Sequence, residues 1–114
     1  MQSWDLLTIE ASGGTRDPVV LHSDEARAVL IKIDPGQELG DHQVKERAWI
    51  SVVDGVAEIT SGEESFEARP GTLFTFAPRE RHAVRSAGGA RILLLLAPWP
   101  APDHYEGEER PAAG

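Results

Sequence analysis

The sequence predicts an all-β fold, a sandwich or jelly roll built as a single domain. Three observations carry this. Turn residues recur at short intervals: Gly13-Gly14, Asp17-Pro18, Asp34-Pro35-Gly36, Asp54-Gly55, Ser61-Gly62, Pro70-Gly71 and Gly88-Gly89. The runs between them are rich in Val, Ile, Leu, Thr and Phe and have strand length, about four to eight residues. None sustains a 3.6-residue apolar period over the roughly ten to twelve residues that mark a helix.

In chain order, the expected strands are Asp5–Glu10, Val19–His22, Ala26–Ile33, Arg47–Asp54, Val56–Ser61, Ser65–Ala68, Thr72–Phe76, His82–Ser86 and Arg91–Ala97. Asp5–Glu10 is included for its apolar run through Leu6, Leu7 and Ile9. In Ala26–Ile33, Val29, Ile31 and Ile33 share one face and Lys32 takes the other. Arg47–Asp54 places Ala48, Ile50 and Val52 on one face and Trp49, Ser51 and Val53 on the opposite one. The run Ile92 to Leu96 is likewise apolar on both faces. A sandwich covers one face of each sheet, so a second copy of the chain is the expected cover for the other. Ser61-Gly62-Glu63-Glu64-Ser65 reads as a hairpin turn. Residues 1–25 are expected to form N-terminal strands packing on the main sheets or on a dimer partner. Residues 26–97 are expected to form the core of the domain. Residues 98–114 are a Pro-rich, then acidic tail whose end is expected to be disordered.

Composition narrows the function. Nineteen acidic against eleven basic residues give a formal charge of −8, the wrong sign for a nucleic-acid or anionic-membrane surface. Three of those eight excess charges fall between Asp103 and Arg110, so the barrel is milder. The absence of cysteine removes disulfides, thiolate zinc sites and cysteine nucleophiles. No basic and apolar leader opens the chain, and no apolar run approaches the ~20 residues of a membrane span. A cytoplasmic location is the expectation. Dinucleotide, P-loop and nucleophile-elbow motifs are missing, and the scattered carboxylates single out no acid–base pair.

Two histidines lie in related settings. His42 closes the segment Asp34-Pro35-Gly36-Gln37-Glu38-Leu39-Gly40-Asp41-His42. His82 closes the segment from Pro70-Gly71 through Thr72–Phe76 and Pro78. With Gly36, His42 and Gly55 at the spacing of one motif and Pro70-Gly71, Pro78 and His82 at that of a second, the chain resembles the cupin superfamily over residues 26–97. The resemblance implies a double-stranded β-helix, or jelly-roll barrel, with a cavity between its sheets. It also implies a metal site, and here the sequence departs from the pattern. Val44 replaces the second histidine of the first motif, Ala48 replaces its glutamate, and Arg79 stands where the second motif has glycine. His42 and His82 are the metal ligands that remain, whereas a first-row metal usually takes three or four protein ligands. Glu46 is the candidate third ligand. In an unbroken strand His42, Val44, Glu46 and Ala48 share a face, while a bend between Val44 and Arg47 breaks that parity.

The expected pocket is lined by His42, Val44, Ala48, Ile50, Phe74, Phe76 and His82. Arg79 and Arg81 offer an anion-steering rim, with Arg85 nearby; salt bridges to neighbouring acids are the alternative for all three. His22 reads as a solvated turn residue. Trp4 and Trp49 read as core or interface. Trp99 is expected to cap the barrel or stack on a partner chain, and His104 belongs to a tail able to fold over the barrel mouth. The sequence therefore predicts a small-molecule-binding barrel with a degenerate metal site. It holds either no cofactor or a weakly bound divalent ion (Zn, Mn, Fe or Ni). Its partners are a small organic ligand, acidic in one version, and a second copy of the chain, with no nucleic acid and no membrane. The alternatives are a metal-dependent enzyme of dioxygenase, isomerase or decarboxylase type using His42 and His82, and a ligand-free structural or sensing dimer.

Overall fold

The computed structural model describes residues 1–11 and 18–104, and of residues 41 and 42 the backbone only. Among the described residues there are nine strands and no helix: β1 Val19–Ser23, β2 Arg27–Ile33, β3 Glu38–His42, β4 Arg47–Gly55, β5 Ala57–Ser61, β6 Glu64–Ala68, β7 Leu73–Phe76, β8 His82–Arg85 and β9 Ala90–Ala97. They form two antiparallel sheets, β1-β2-β9-β4-β7 and β3-β8-β5-β6. With no helix, none is long and apolar enough to cross a membrane.

The core follows from alternation. Val29, Ile31 and Ile33 from β2, Ala48, Ile50 and Val52 from β4, and Ile92 and Leu96 from β9 point inward from the five-stranded sheet. Ala57, Ile59, Ala68 and Val84 meet them from the four-stranded sheet. In the centre, β9 pairs with β2 without a break from Ala90↔Ile33 to Leu96↔Arg27, and with β4 from Gly55↔Ala90 to Arg47↔Ala97 with a bulge between Val52 and Asp54. At the far end of the β4–β9 pair, Gly55 has a φ of 78° and its missing Cβ would stand 2.3 Å from the Gly89 carbonyl oxygen. Glycine is required there on both counts.

The same turn is used three times. In Asp34–Gln37, Arg69–Thr72 and Ala77–Glu80 the fourth N–H donates to the first carbonyl at 2.9, 2.9 and 3.0 Å. The third residue of each lies at positive φ: Gly36 at 81°, Gly71 at 97° and Arg79 at 67°. Each is a proline-led turn of type II. The hairpin between β5 and β6 closes in two residues with Ser61 opposite Glu64 and Gly62 at a φ of 60°, as a type II′ turn requires.

Three expectations are corrected. Asp5–Glu10 is no strand, so the described part of residues 1–25 contains one strand, β1, rather than several. The Asp5 carboxylate accepts the Leu7 N–H at 3.0 Å and its carbonyl accepts the N–H groups of Thr8 and Ile9. That closes a turn in place of a sheet ladder. The Arg91 guanidinium then ties the turn down through the Leu6 and Ile9 carbonyls at 3.0 and 2.9 Å. His22 sits exposed within β1 and not in a turn. Finally, β3 forms where no strand was expected. Its Glu38-Leu39-Gly40-Asp41-His42 sequence carries one apolar residue, and β8 supplies the ladder that holds it extended. The turn expected at Gly13-Gly14 and Asp17, and the end of the tail beyond His104, lie outside the described residues.

Candidate functional site

One end of the barrel gathers the residues singled out by the sequence. It is built from the end of β3, the start of β4, the end of β7, the start of β8 and the end of β9. The backbones of His42 and His82 are direct partners across the β3–β8 ladder. Ala48 pairs with Phe76 across β4–β7, and Ile50 with Phe74 one step deeper. Ala48, Ile50, Phe76 and His82 are buried, and Val44 and Phe74 are partly buried against the same core. The Val44 carbonyl accepts the Arg79 N–H at 2.7 Å, which locks the β3–β4 connection to the β7–β8 turn.

His82 is 2% exposed. Its ring stacks on Phe76 with centroids 4.2 Å apart and planes 13° off parallel. Nδ1 lies 3.1 Å from the Glu80 carbonyl oxygen. A carbonyl can only accept, so Nδ1 carries the proton, and in the neutral ring Nε2 is the acceptor nitrogen. Stack and hydrogen bond together fix the imidazole at the edge of the apolar core.

Glu46 is fully buried, in the bend between β3 and β4. Its Oε2 accepts the Ala101 N–H at 3.0 Å and lies 2.5 Å from His104 Nδ1. Its Oε1 is buried and meets no hydrogen-bond partner among the described residues. The partners come from the segment after β9, which crosses this end of the barrel. The Trp99 N–H donates to the Glu25 carbonyl at 2.8 Å. The Trp99 indole packs against the core, lies under the Arg27 guanidinium at 4.6 Å and takes His104 edge-on at 4.8 Å. Asp103 forms an ion pair with Arg79. Desolvation of Asp103 opposes its ionisation. The Arg79 hydrogen bond, its own backbone N–H and the nearby charges of Arg79 and Lys45 outweigh that, and its carboxyl falls below the ordinary 3.8. The start of the tail, Pro98 to His104, is thus folded onto the barrel, and the end expected to be disordered lies outside the described residues. Sequence reasoning put Glu46 beside His42 and His104 in the tail, but not the two together. They are 58 positions apart and no spacing rule links them.

The arginines divide. Arg79 is engaged by Asp103, and Arg85 points out of the four-stranded sheet to Glu58 at 3.0 Å. Arg81 is exposed beside the barrel end. The Glu80 carboxylate is taken up locally, accepting the Ala77 N–H at 3.0 Å and the Ser61 hydroxyl at 2.8 Å. A cleft of about 510 Å³ lies elsewhere, on the outer face of the four-stranded sheet among Gly36, Glu38, Glu58, Glu67, Arg85 and Gly88, and holds none of the expected pocket residues.

Among the described side chains, which do not include that of His42, the barrel end offers too few donors for a tightly held metal. Among the described residues no three His, Asp or Glu side chains converge to hold an ion. Val44 and Ala48 contribute no donor, and Glu46 Oε2 is committed to the chain's own N–H groups.

This chain, with two antiparallel sheets and paired turn–strand–histidine segments at one barrel end, belongs to the cupin domain family, whose model matches residues 29–97. Solved structures agree on the fold. An RmlC-like cupin from Desulfovibrio desulfuricans aligns with a TM-score of 0.75 at 24% identity, over 86% of this chain and 97% of that one. The protein TT1209 from Thermus thermophilus aligns with a TM-score of 0.74 at 23% identity, over 86% and 98%. KdgF from a Halomonas species aligns with a TM-score of 0.67 at 22% identity, over 72% and 79%. No curated protein is detectably similar to the chain in sequence. Family membership establishes a small cupin of the small-molecule-binding or enzymatic kind.

Proposed function

We propose that the chain is a small-molecule-binding cupin whose ligand is held at the barrel end marked by His82. The observation that carries this is the fixed imidazole. A histidine stacked on Phe76 and hydrogen-bonded through Nδ1 is an oriented polar group at a barrel end whose core also holds Ala48, Ile50 and Phe76, the composition of a small-molecule site. Val44 and Phe74 complete the proposed lining, and His42 is the backbone partner of His82 across the β3–β8 ladder. With Arg79 engaged by Asp103 and a carboxylate buried at the same end, the site favours a ligand that donates hydrogen bonds over a simple anion.

The test is a thermal-shift screen of small alcohols, amines and acids on wild type and on His82→Phe. The substitution keeps a ring against Phe76 and removes both nitrogens. A ligand that raises the melting temperature of wild type but not of the variant supports the reading. Equal shifts in both remove His82 from the site. Acids stabilising in preference to amines and alcohols would restore the anion-binding version. Elemental analysis of natively purified protein should find less than about a tenth of an equivalent of any divalent metal, as expected for sites short of three ligands.

The chain is also proposed to self-associate through the outer face of its five-stranded sheet. The register aligns Trp49 with Leu95 and Ser51 with both Leu93 and Leu73 on that face. Leu73 is 64% exposed. An apolar stretch of this kind, flanked by Arg47 on the same face, can pair with a second copy of itself across a two-fold axis.

A further inference from the structure

The segment Pro98–His104 is a strap across the barrel end, and its inner contacts converge on one group. Two N–H donors of the strap, the Ala101 amide and the His104 imidazole, meet Glu46 Oε2 at 3.0 and 2.5 Å. Glu46 is 0% exposed, and its second oxygen is buried without a donor among the described residues. A carboxylate oxygen left unpaired in the interior carries a desolvation penalty that a well-packed core would avoid. The group is therefore an acceptor with unused capacity. Ala101 is itself buried, and the Trp99 indole meets the His104 ring edge-on at 4.8 Å. The strap's outer contacts are of a weaker kind: an exposed ion pair between Arg79 and Asp103, and Arg27 over Trp99 at 4.6 Å. Water screens the ion pair, while the Trp99 N–H bond to the Glu25 carbonyl and the packing of its indole on the core hold the start of the strap in place.

We infer that Glu46 is a binding site for a small cationic or N–H-donating molecule, and that the strap is its intramolecular occupant. Ala101 and His104 present to the carboxylate what a ligand would present: two convergent N–H donors on a body with an apolar side. An external amine, amidine or imidazole has one advantage over the strap, since it can reach Oε1 as well as Oε2. The Glu46 site stands on its own geometry and does not depend on what His82 binds.

The test uses the full chain and imidazole as the probe. In His104→Gly the strap loses its side-chain donor and leaves an imidazole-sized gap beside Glu46. Titration followed by backbone amide shifts should show saturable binding at least tenfold tighter than to wild type. Glu46→Gln combined with His104→Gly should abolish it. In wild type, saturating imidazole should speed hydrogen exchange at the Ala101 amide, whose acceptor it takes. That measurement needs no variant and decides the matter if His104→Gly does not fold. Binding to His104→Gly no tighter than to wild type, equal binding by the double variant, or unchanged Ala101 protection would each overturn the assignment.

Discussion

At the scale of single residues, three backbone positions carry the sharpest consequences. Gly55 combines a φ of 78° with a Cβ position 2.3 Å from the Gly89 carbonyl oxygen. Gly36 has a φ of 81° and open space around it. Gly55→Ala should therefore cost on the order of 3 kcal/mol, and Gly36→Ala about 1 kcal/mol, from strain alone. Urea denaturation of the two variants compares them directly. Arg79 occupies the left-handed position of its turn, at 67°, where the family pattern has glycine. Arg79→Gly should leave the urea midpoint nearly unchanged, since relief of strain offsets the loss of an exposed ion pair and added chain entropy. Arg79→Val, β-branched at positive φ, should lower that midpoint clearly. These glycines were legible in the sequence because turn chemistry is local. Arg79 was legible as a departure, but its conformation became visible only in the fold.

At the scale of elements, pairing overrides local preference in both directions. Leu6, Leu7 and Ile9 look like a strand, yet Asp5 captures the nearby N–H groups and Arg91 the carbonyls, so the segment closes on itself and on Arg91 instead of joining a sheet. β3 looks like a loop, yet β8 extends it and so brings His42 opposite His82. The turn between β7 and β8 should add a pH dependence. The Ala77 N–H first, then the Ser61 hydroxyl, bond the Glu80 carboxylate and lower its pKa from the ordinary 4.5, with burial opposing weakly. A depressed carboxyl stabilises the fold fully above its unfolded value and loses that contribution as pH falls through its folded value. Wild type should thus lose melting temperature below about pH 4.5 more steeply than Glu80→Gln, as pH-stepped calorimetry would reveal. The side chain is exposed, so the difference is expected to be small.

At the scale of the whole molecule, the five-stranded sheet carries apolar side chains on both faces, with Lys32, Arg47 and Arg91 bordering them on the outer one. The inner face fills the core, and the outer one presents Trp49, Leu73, Leu93 and Leu95. A dimer through that face predicts a light-scattering mass of twice the chain at micromolar concentration, and a melting temperature that rises with concentration. Leu95→Lys should return the monomer mass while leaving the β spectrum intact. A wild-type monomer would remove the outer face as an interface.

The sequence by itself determined the sheet class, most of the strands, the proline–glycine turns and the residues available at the barrel end. All of these rest on periodicity, turn chemistry and motif spacing within a few residues. Only the tertiary structure decided that β3 exists, that His82 stacks on Phe76, and that Glu46 meets Ala101 and His104 in place of a metal-ligand set. The physical reason is range. A period-two apolar pattern is written in adjacent residues, but a buried carboxylate finds its donors wherever the chain returns, here 58 residues later, and no local preference records that return.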